Sequence, residues 1–250
     1  MRSGDGLQAS LDAAMSGAGR GLSAANQLCV SCVEVLDVDG AAISWVRDGA
    51  SQGTFGSSGS LSRRLDELQF TFGEGPCLDA VVEGRPVLVP DLRLENAGRW
   101  PALTGAMLDQ GIRAVFALPV SIAAVPVAAI DLFRRSPGPL SPEGLDAGVH
   151  ASRLAVAPLL DLLQARAGPR GEDGAETNPE LKSLERVEVY QAIGMIMAQL
   201  DVDTADALAR LRAYAYAHDH TASEVAWAVV QRRLTFDRDD LDGHGDGGRS

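Results

Sequence analysis

The chain has 250 residues, 22 Lys+Arg against 34 Asp+Glu and a formal net charge of -12. At roughly 100–200 residues per domain this length holds one large domain or two modest ones, and an apolar share of 46% allows a buried core. No stretch approaches the ~18 consecutive apolar residues of a membrane helix, the acidic, Gly-rich opening is not expected to act as a signal peptide, and three cysteines do not make a disulfide scaffold. The expectation is a cytoplasmic protein in which any nucleic-acid binding rests on a local patch, because an acidic chain has no global field for phosphate.

In chain order, Leu22–Leu36 places Leu28, Cys29, Cys32, Val35 and Leu36 at helical spacings. Asp39-Gly40 turns the chain into a strand over Ala41–Val46, and Asp48-Gly49 is a hairpin signal before a weaker strand over Gln52–Gly56. Pro76 opens a short helix over Leu78–Glu83, and Val87–Val89 reads as a short buried strand. Arg113–Ile122 and Val125–Phe133 are two strong strands with a tight connection near Ala124. Ser141 and Pro142 start a helix that the apolar spacing carries through Leu145, Val149, Leu154, Val156, Leu159, Leu160 and Leu163. A sheet flanked by helices predicts an α/β sandwich.

Residues 166–183 form the expected linker: three glycines, two prolines and acidic residues cannot bury enough surface to offset ordering entropy. From 184 only helical periods remain. Val189, Ile193, Ile196 or Met197, and Leu200 line one helix, Asp203 or Thr204 caps a second over Ala205–Ala217, and Thr221 or Ser223 caps a third. Residues 181–236 carry 6 basic and 7 acidic groups, whereas residues 1–180 carry 14 and 22. The C-terminal module is therefore nearly neutral inside an acidic chain. Residues 237–250, with five aspartates, read as a disordered acidic tail.

Two stretches resemble known families. From Leu61 the chain reads LSRRLDELQFTFGEGPCLDAVVEGRPVLVPDL, then Arg99-Trp100-Pro101, then GIRAVFALPV at Gly111–Val120. This is similar to a GAF domain of the actinobacterial sensor type over about residues 20–165. Gln191, Ala192, Gly194, Met197, Ala207, Leu211, Arg212, Val225 and Ala226 follow the pattern of an ANTAR domain over 184–236. The resemblance implies a GAF-like α/β sandwich with an antiparallel sheet, followed by an all-α three-helix module. It also implies a regulator whose GAF domain senses a signal, with the ANTAR domain binding paired RNA stem-loops in leader transcripts to prevent transcription termination. Ile193 departs from the family, which often has lysine there. The alternative is a small-molecule or redox sensor whose C-terminal helices only dimerise and dock a partner protein.

Arg210, Tyr214 and His218 lie at i, i+4 and i+8, one stripe of the second C-terminal helix, and a guanidinium beside exposed rings suits unstacked bases. Arg212 points nearly the other way. Arg186 and Gln191 on the first helix, with Arg232 and Arg233 on the third, complete a basic rim. Gly194 inside a helix asks for close approach of another helix, either within the module or across a homodimer seam. In the GAF region, Trp100 and Met107 are candidates to line a small-molecule pocket, as GAF relatives use that region for ligands; the ligand itself is not legible. Cys29 and Cys32 share an apolar face and read as packing. A structural zinc needs four ligands, so no metal is expected from Cys77 and four scattered histidines. Gly73-Glu74-Gly75-Pro76-Cys77 lacks the Lys and Ser/Thr of a phosphate loop. Cys77 at a helix N-terminus is a candidate for a lowered thiol pKa, with an inert turn cysteine as the other reading. No nucleophile–base arrangement is recognisable, and no enzyme is predicted.

Overall fold

The structure, a computed structural model, describes residues 4–47, 49–95, 98–167 and 186–237. Its contacts divide the chain into two units, residues 1–185 and 186–250. The linker expected over 166–183 and the tail expected from 237 lie outside the described residues, except for positions 166, 167 and 237.

Unit 1 is a five-stranded antiparallel sheet of order β2-β1-β5-β4-β3, built from β1 (Gly40–Arg47), β2 (Ala50–Ser57), β3 (Val87–Val89), β4 (Ala114–Ile122) and β5 (Val125–Arg134). Side chains alternate across the pleat and separate two cores. On one face Ile43, Phe116, Leu118, Ile130 and Leu132 pack against α1 (Gly4–Met15), α2 (Gly21–Val35), α6 (Pro142–Leu154) and α7 (Val156–Ala167). On the other, Ala42, Val115, Ala117 and Phe133 pack with residues of α3 (Ser60–Phe72), α4 (Pro76–Glu83) and α5 (Leu103–Asp109). Gly56 permits the close seating of α2: a Cβ there would stand 2.9 Å from the carbonyl oxygen of Ala25.

Two departures from the sequence reading have local causes. The helix expected to run from Ser141 to Leu163 is two helices, interrupted at Ala155. Pro158 has no amide hydrogen and its ring opposes the carbonyl four residues earlier, at Leu154, so the ladder breaks there. The start is as expected, with Ser141 Oγ accepting from the Gly144 amide at 3.0 Å. The second departure is α1, which, like α3 and α5, no periodicity singled out; its Leu11 is fully buried in the helical-face core.

Unit 2 is three helices, α8 (Val187–Leu200), α9 (Thr204–Ala217) and α10 (Ala222–Val230). Asp203 caps α9 by accepting from the Asp206 amide at 2.9 Å. Thr221 and Glu224 cap α10 reciprocally, through bonds of 3.2 and 2.7 Å. Val189, Ile193, Ile196 and Leu200 of α8, Leu211 and Ala215 of α9, and Val225 and Val229 of α10 are all buried, so the apolar stripe of α8 is consumed within the unit. Among the described residues no helix is long and apolar enough to cross a membrane.

Candidate functional sites: a buried polar cluster and an aromatic groove

The GEGPC turn begins where α3 ends at Gly73, in the left-handed region with φ 68. Its residues then fasten three elements. Glu74 Oε1 accepts from the amides of Ala102 and Leu103 at 2.8 and 2.9 Å, satisfying the open N-terminus of α5. Asp79 in the first turn of α4 accepts from Arg99 Nε at 3.0 Å and Trp100 Nε1 at 3.2 Å, while the Arg99 guanidinium lies 4.4 Å above the Trp100 ring. Trp100 is 2% exposed and Met107 is fully buried, both within the core between sheet and α5. The two expected ligand residues are thus brought together, as packed core side chains.

Beneath this turn sits a buried polar cluster that the sequence reading missed. Asp66 and Gln69 come from α3, Cys77 from α4, Ser44 from β1, Thr54 from β2 and Asp131 from β5. The hydroxyls of Ser44 and Thr54 donate to the two oxygens of Asp66. Gln69 donates through Nε2 to Asp131 Oδ2 at 2.5 Å and accepts through Oε1 from the Cys77 amide at 2.9 Å. Burial, together with the charge of Asp66, pushes the Asp131 carboxyl up to about 8. Burial, reinforced by the negative charges of Asp131 and Asp66, also pushes the Cys77 thiol well above its ordinary range. The lowered pKa considered for Cys77 is therefore corrected: the helix N-terminus is outweighed by desolvation and two carboxylates. Cys29 and Cys32 are fully buried packing residues, and burial raises the Cys32 thiol to about 12. A signal for the cluster did exist in the sequence, since Asp131 interrupts an apolar strand between Ile130 and Leu132.

In unit 2 the expected stripe is partly assembled. Tyr214 and His218 stack at 4.0 Å between centroids with 17° between planes, and Phe236 meets Tyr214 edge-on at 5.5 Å. Arg210 is half-buried on the same side and Gln191 is exposed. Arg186 is 5% exposed, at the N-terminal end of α8 with φ 44, and so is withdrawn from any such surface. Arg212 is half-buried and desolvation lowers its guanidinium pKa. Ile193 is a core residue at 5% exposure, so the departure from lysine is absorbed by packing. Gly194 has no atom within 4 Å of where a Cβ would stand, which removes intra-unit close approach as its reason.

Beside the stripe is a groove of about 490 Å³ whose walls include Tyr214, His220, Trp227, Arg233 and Leu234. Trp227 is 50% exposed. Sequence reading placed Tyr214 in the site but not Trp227 or His220, because their positions on α10 and the preceding turn join α9 only through tertiary packing.

The fold of the chain is similar to the GAF domain from a phosphoenolpyruvate-protein phosphotransferase of Coxiella burnetii, with a TM-score of 0.50 and 17% identity over 66% of this chain and 95% of that one. Two further similar structures are fRMsr of Staphylococcus aureus in its reduced form (TM-score 0.48, 10% identity, covering 62% and 93%) and the type II free methionine-R-sulfoxide reductase from Thermoplasma acidophilum (TM-score 0.42, 18% identity, covering 60% and 93%). At 17% identity the likeness to the first is one of fold. No curated protein matches the chain in sequence. The model of the GAF domain matches residues 23–155 and that of the ANTAR domain residues 182–230. A sensor domain joined to an RNA-binding domain is the composition of a regulator. With its first match spanning more than half of its residues, the chain belongs to the GAF family and carries an ANTAR domain behind the GAF domain.

Proposed function

We propose that this chain is a cytoplasmic, signal-gated, non-enzymatic regulator that binds paired RNA stem-loops through its ANTAR domain and so prevents transcription termination. The groove between α9 and α10 carries the reading. Tyr214, Trp227 and His220 offer ring faces, and Arg233 offers a planar cation, in one concave surface. Looped-out bases stack on such planes while the backbone meets the guanidinium. Arg210 and His218 extend that surface along α9, with Gln191 as an outlying polar contact from α8; Arg186 and Arg212 act from beneath, by positioning helices. The acidic chain supplies no nonspecific attraction, so affinity comes from these few contacts.

The GAF domain takes the input, with a small-molecule ligand expected between the sheet and α5. There Trp100 and Met107 are packed, so a ligand reaching them must open that segment. Self-association through the C-terminal helices belongs to the same reading, with the open space over Gly194 as the place a second helix would approach. The competing reading, a helical module that docks a protein, draws on the exposed rings of Tyr190, Tyr216 and Trp227.

The test is fluorescence anisotropy of the full chain with RNAs carrying two adjacent stem-loops, one stem-loop, or an uninterrupted duplex. Tighter binding of the paired stem-loops supports the proposal. Equal weak binding of all three, or none, sinks it and favours protein docking. Light scattering of the same samples reports whether the binding species is a dimer.

A further inference from the structure

The Asp66–Cys77–Asp131 cluster has no part in RNA binding, and the composition of the chain argued against any metal. Its geometry argues otherwise. One carboxylate oxygen of Asp66, one of Asp131 and the Cys77 Sγ lie within 4.8 Å of one another. They arrive from α3, β5 and α4, and the three residues are 0%, 1% and 0% exposed. Asp131 sits in the middle of the sheet, paired with Ala42 on one side and Ala117 on the other, so only small side chains flank it across the strands.

The second oxygen of Asp131 is the independent sign. Oδ2 takes the Gln69 amide, but Oδ1 is buried with no hydrogen-bond partner. Buried acceptors are nearly always satisfied, and an orphan asks for a missing ion or water. The orphan belongs to the residue that closes the three-ligand cluster.

We propose that Asp66, Cys77 and Asp131 bind a borderline-soft divalent cation, zinc foremost. Zinc accepts thiolate at about 2.3 Å and carboxylate oxygen at about 2.0–2.2 Å, which sets ligand atoms roughly 3–4 Å apart. From separations of up to 4.8 Å the three groups need to close by about 1–2 Å to reach that geometry. Magnesium and calcium prefer all-oxygen shells, so the thiolate selects against them. The surrounding bonds fit ligand orientation: Ser44 and Thr54 fix Asp66, and Gln69 fixes Asp131 and the Cys77 backbone together. The protons of the Cys77 thiol and of the Asp131 carboxyl leave as the metal enters. Three protein ligands leave a fourth position open. The proposal stands on unit 1 alone, so its failure leaves the RNA reading intact.

Cobalt(II) titration of the chelator-stripped full chain tests it. One equivalent of cobalt should produce a thiolate-to-cobalt charge-transfer band in the near-ultraviolet, and zinc should abolish it by displacement. Cys77→Ser should remove the band, whereas the Cys29→Ser/Cys32→Ser double variant should keep it. Gln69→Ala should weaken zinc affinity about 10–100-fold, as loss of an orienting partner does. If Cys77→Ser does not fold, the parent and the double variant decide between them. A parent protein with no band, a band that survives Cys77→Ser, or a band lost in the double variant overturns the assignment. Metal held only by histidines gives no thiolate band and counts against it too.

Discussion

Gln69 of α3 donates to Asp131 of β5 at 2.5 Å, and this bond crosses from the helical layer to the centre of the sheet. Because the same side chain accepts from the Cys77 amide, Gln69→Leu strands a carboxylate oxygen and a buried N–H at once. Each group left unmade costs about 1–3 kcal/mol. We expect unit 1 to lose stability of that order, read by urea unfolding followed through near-ultraviolet circular dichroism. Unchanged stability would mean that the bridge is not made in solution.

Gly75 is where the cluster meets the turn. Its φ is +143, a region L side chains rarely adopt, and a Cβ there would lie 2.4 Å from Gln69 Oε1. Gly75→Ala therefore strains the backbone and displaces Gln69 together. Such backbone placements cost about 1–3 kcal/mol. The variant should melt earlier than the parent in calorimetry, and the deficit should shrink when Gln69 is already alanine, which removes the Oε1 and Cγ contacts and leaves the backbone strain and the 2.8 Å approach of Leu103 Cδ2.

The β4–β5 hairpin closes through Ala123 and Ala124, at φ 48 and φ 66. Two consecutive left-handed residues make the turn that matches strand twist, but alanine is a poor occupant and Asn-Gly the favoured one. Each left-handed L-residue costs about 1–2 kcal/mol. Ala123→Asn with Ala124→Gly should raise the denaturation midpoint of unit 1, with no change in fold by circular dichroism. A lower midpoint would show that the turn differs from the one described.

All three cysteines are buried and free, and burial raises each thiol. Thiolate is the reactive form, so the metal-free native protein should react slowly with an aromatic disulfide reagent and release three equivalents only in denaturant. A fast native phase that disappears in Cys77→Ser would revive the reactive-cysteine reading.

For the RNA surface, Tyr214→Ala removes a stacking ring together with its packing on His218 and Phe236. A stacked base is worth about 1–3 kcal/mol, so affinity for the cognate paired stem-loops should fall roughly one to two decades. Trp227→Ala should do likewise, with little effect on folding because the ring is half-exposed. Arg210→Ala and Arg233→Ala should weaken binding and flatten its salt dependence, since fewer counterions are released. Anisotropy at several salt concentrations checks all four. Unchanged binding in every variant leaves the groove a solvated face.

The sequence alone determined what is local. The periods, the turn residues, the cap at Ser141 and the cap pairs Asp203/Thr204 and Thr221/Ser223 placed the strands and most helices, because hydrophobic spacing and cap chemistry act within a few residues. The two families were legible as resemblances carried by short motifs. The sequence did not disclose α3, α5 or α1, of which α1 packs against α2 and against α6 more than a hundred residues away and buries Leu11. The break before Pro158 it did signal, through the proline itself, although the apolar spacing continues past it. Tertiary structure decided the sites. Ser44, Asp66, Cys77 and Asp131 are up to 87 residues apart and share a cluster only because the sheet order sets β1 beside β5 under α3 and α4. It also withdrew Arg186, set Trp227 across from Tyr214, and turned the Cys77 thiol from a candidate thiolate into a desolvated one. Burial and charge at a point depend on everything packed around it, and spacing along the chain carries no record of that.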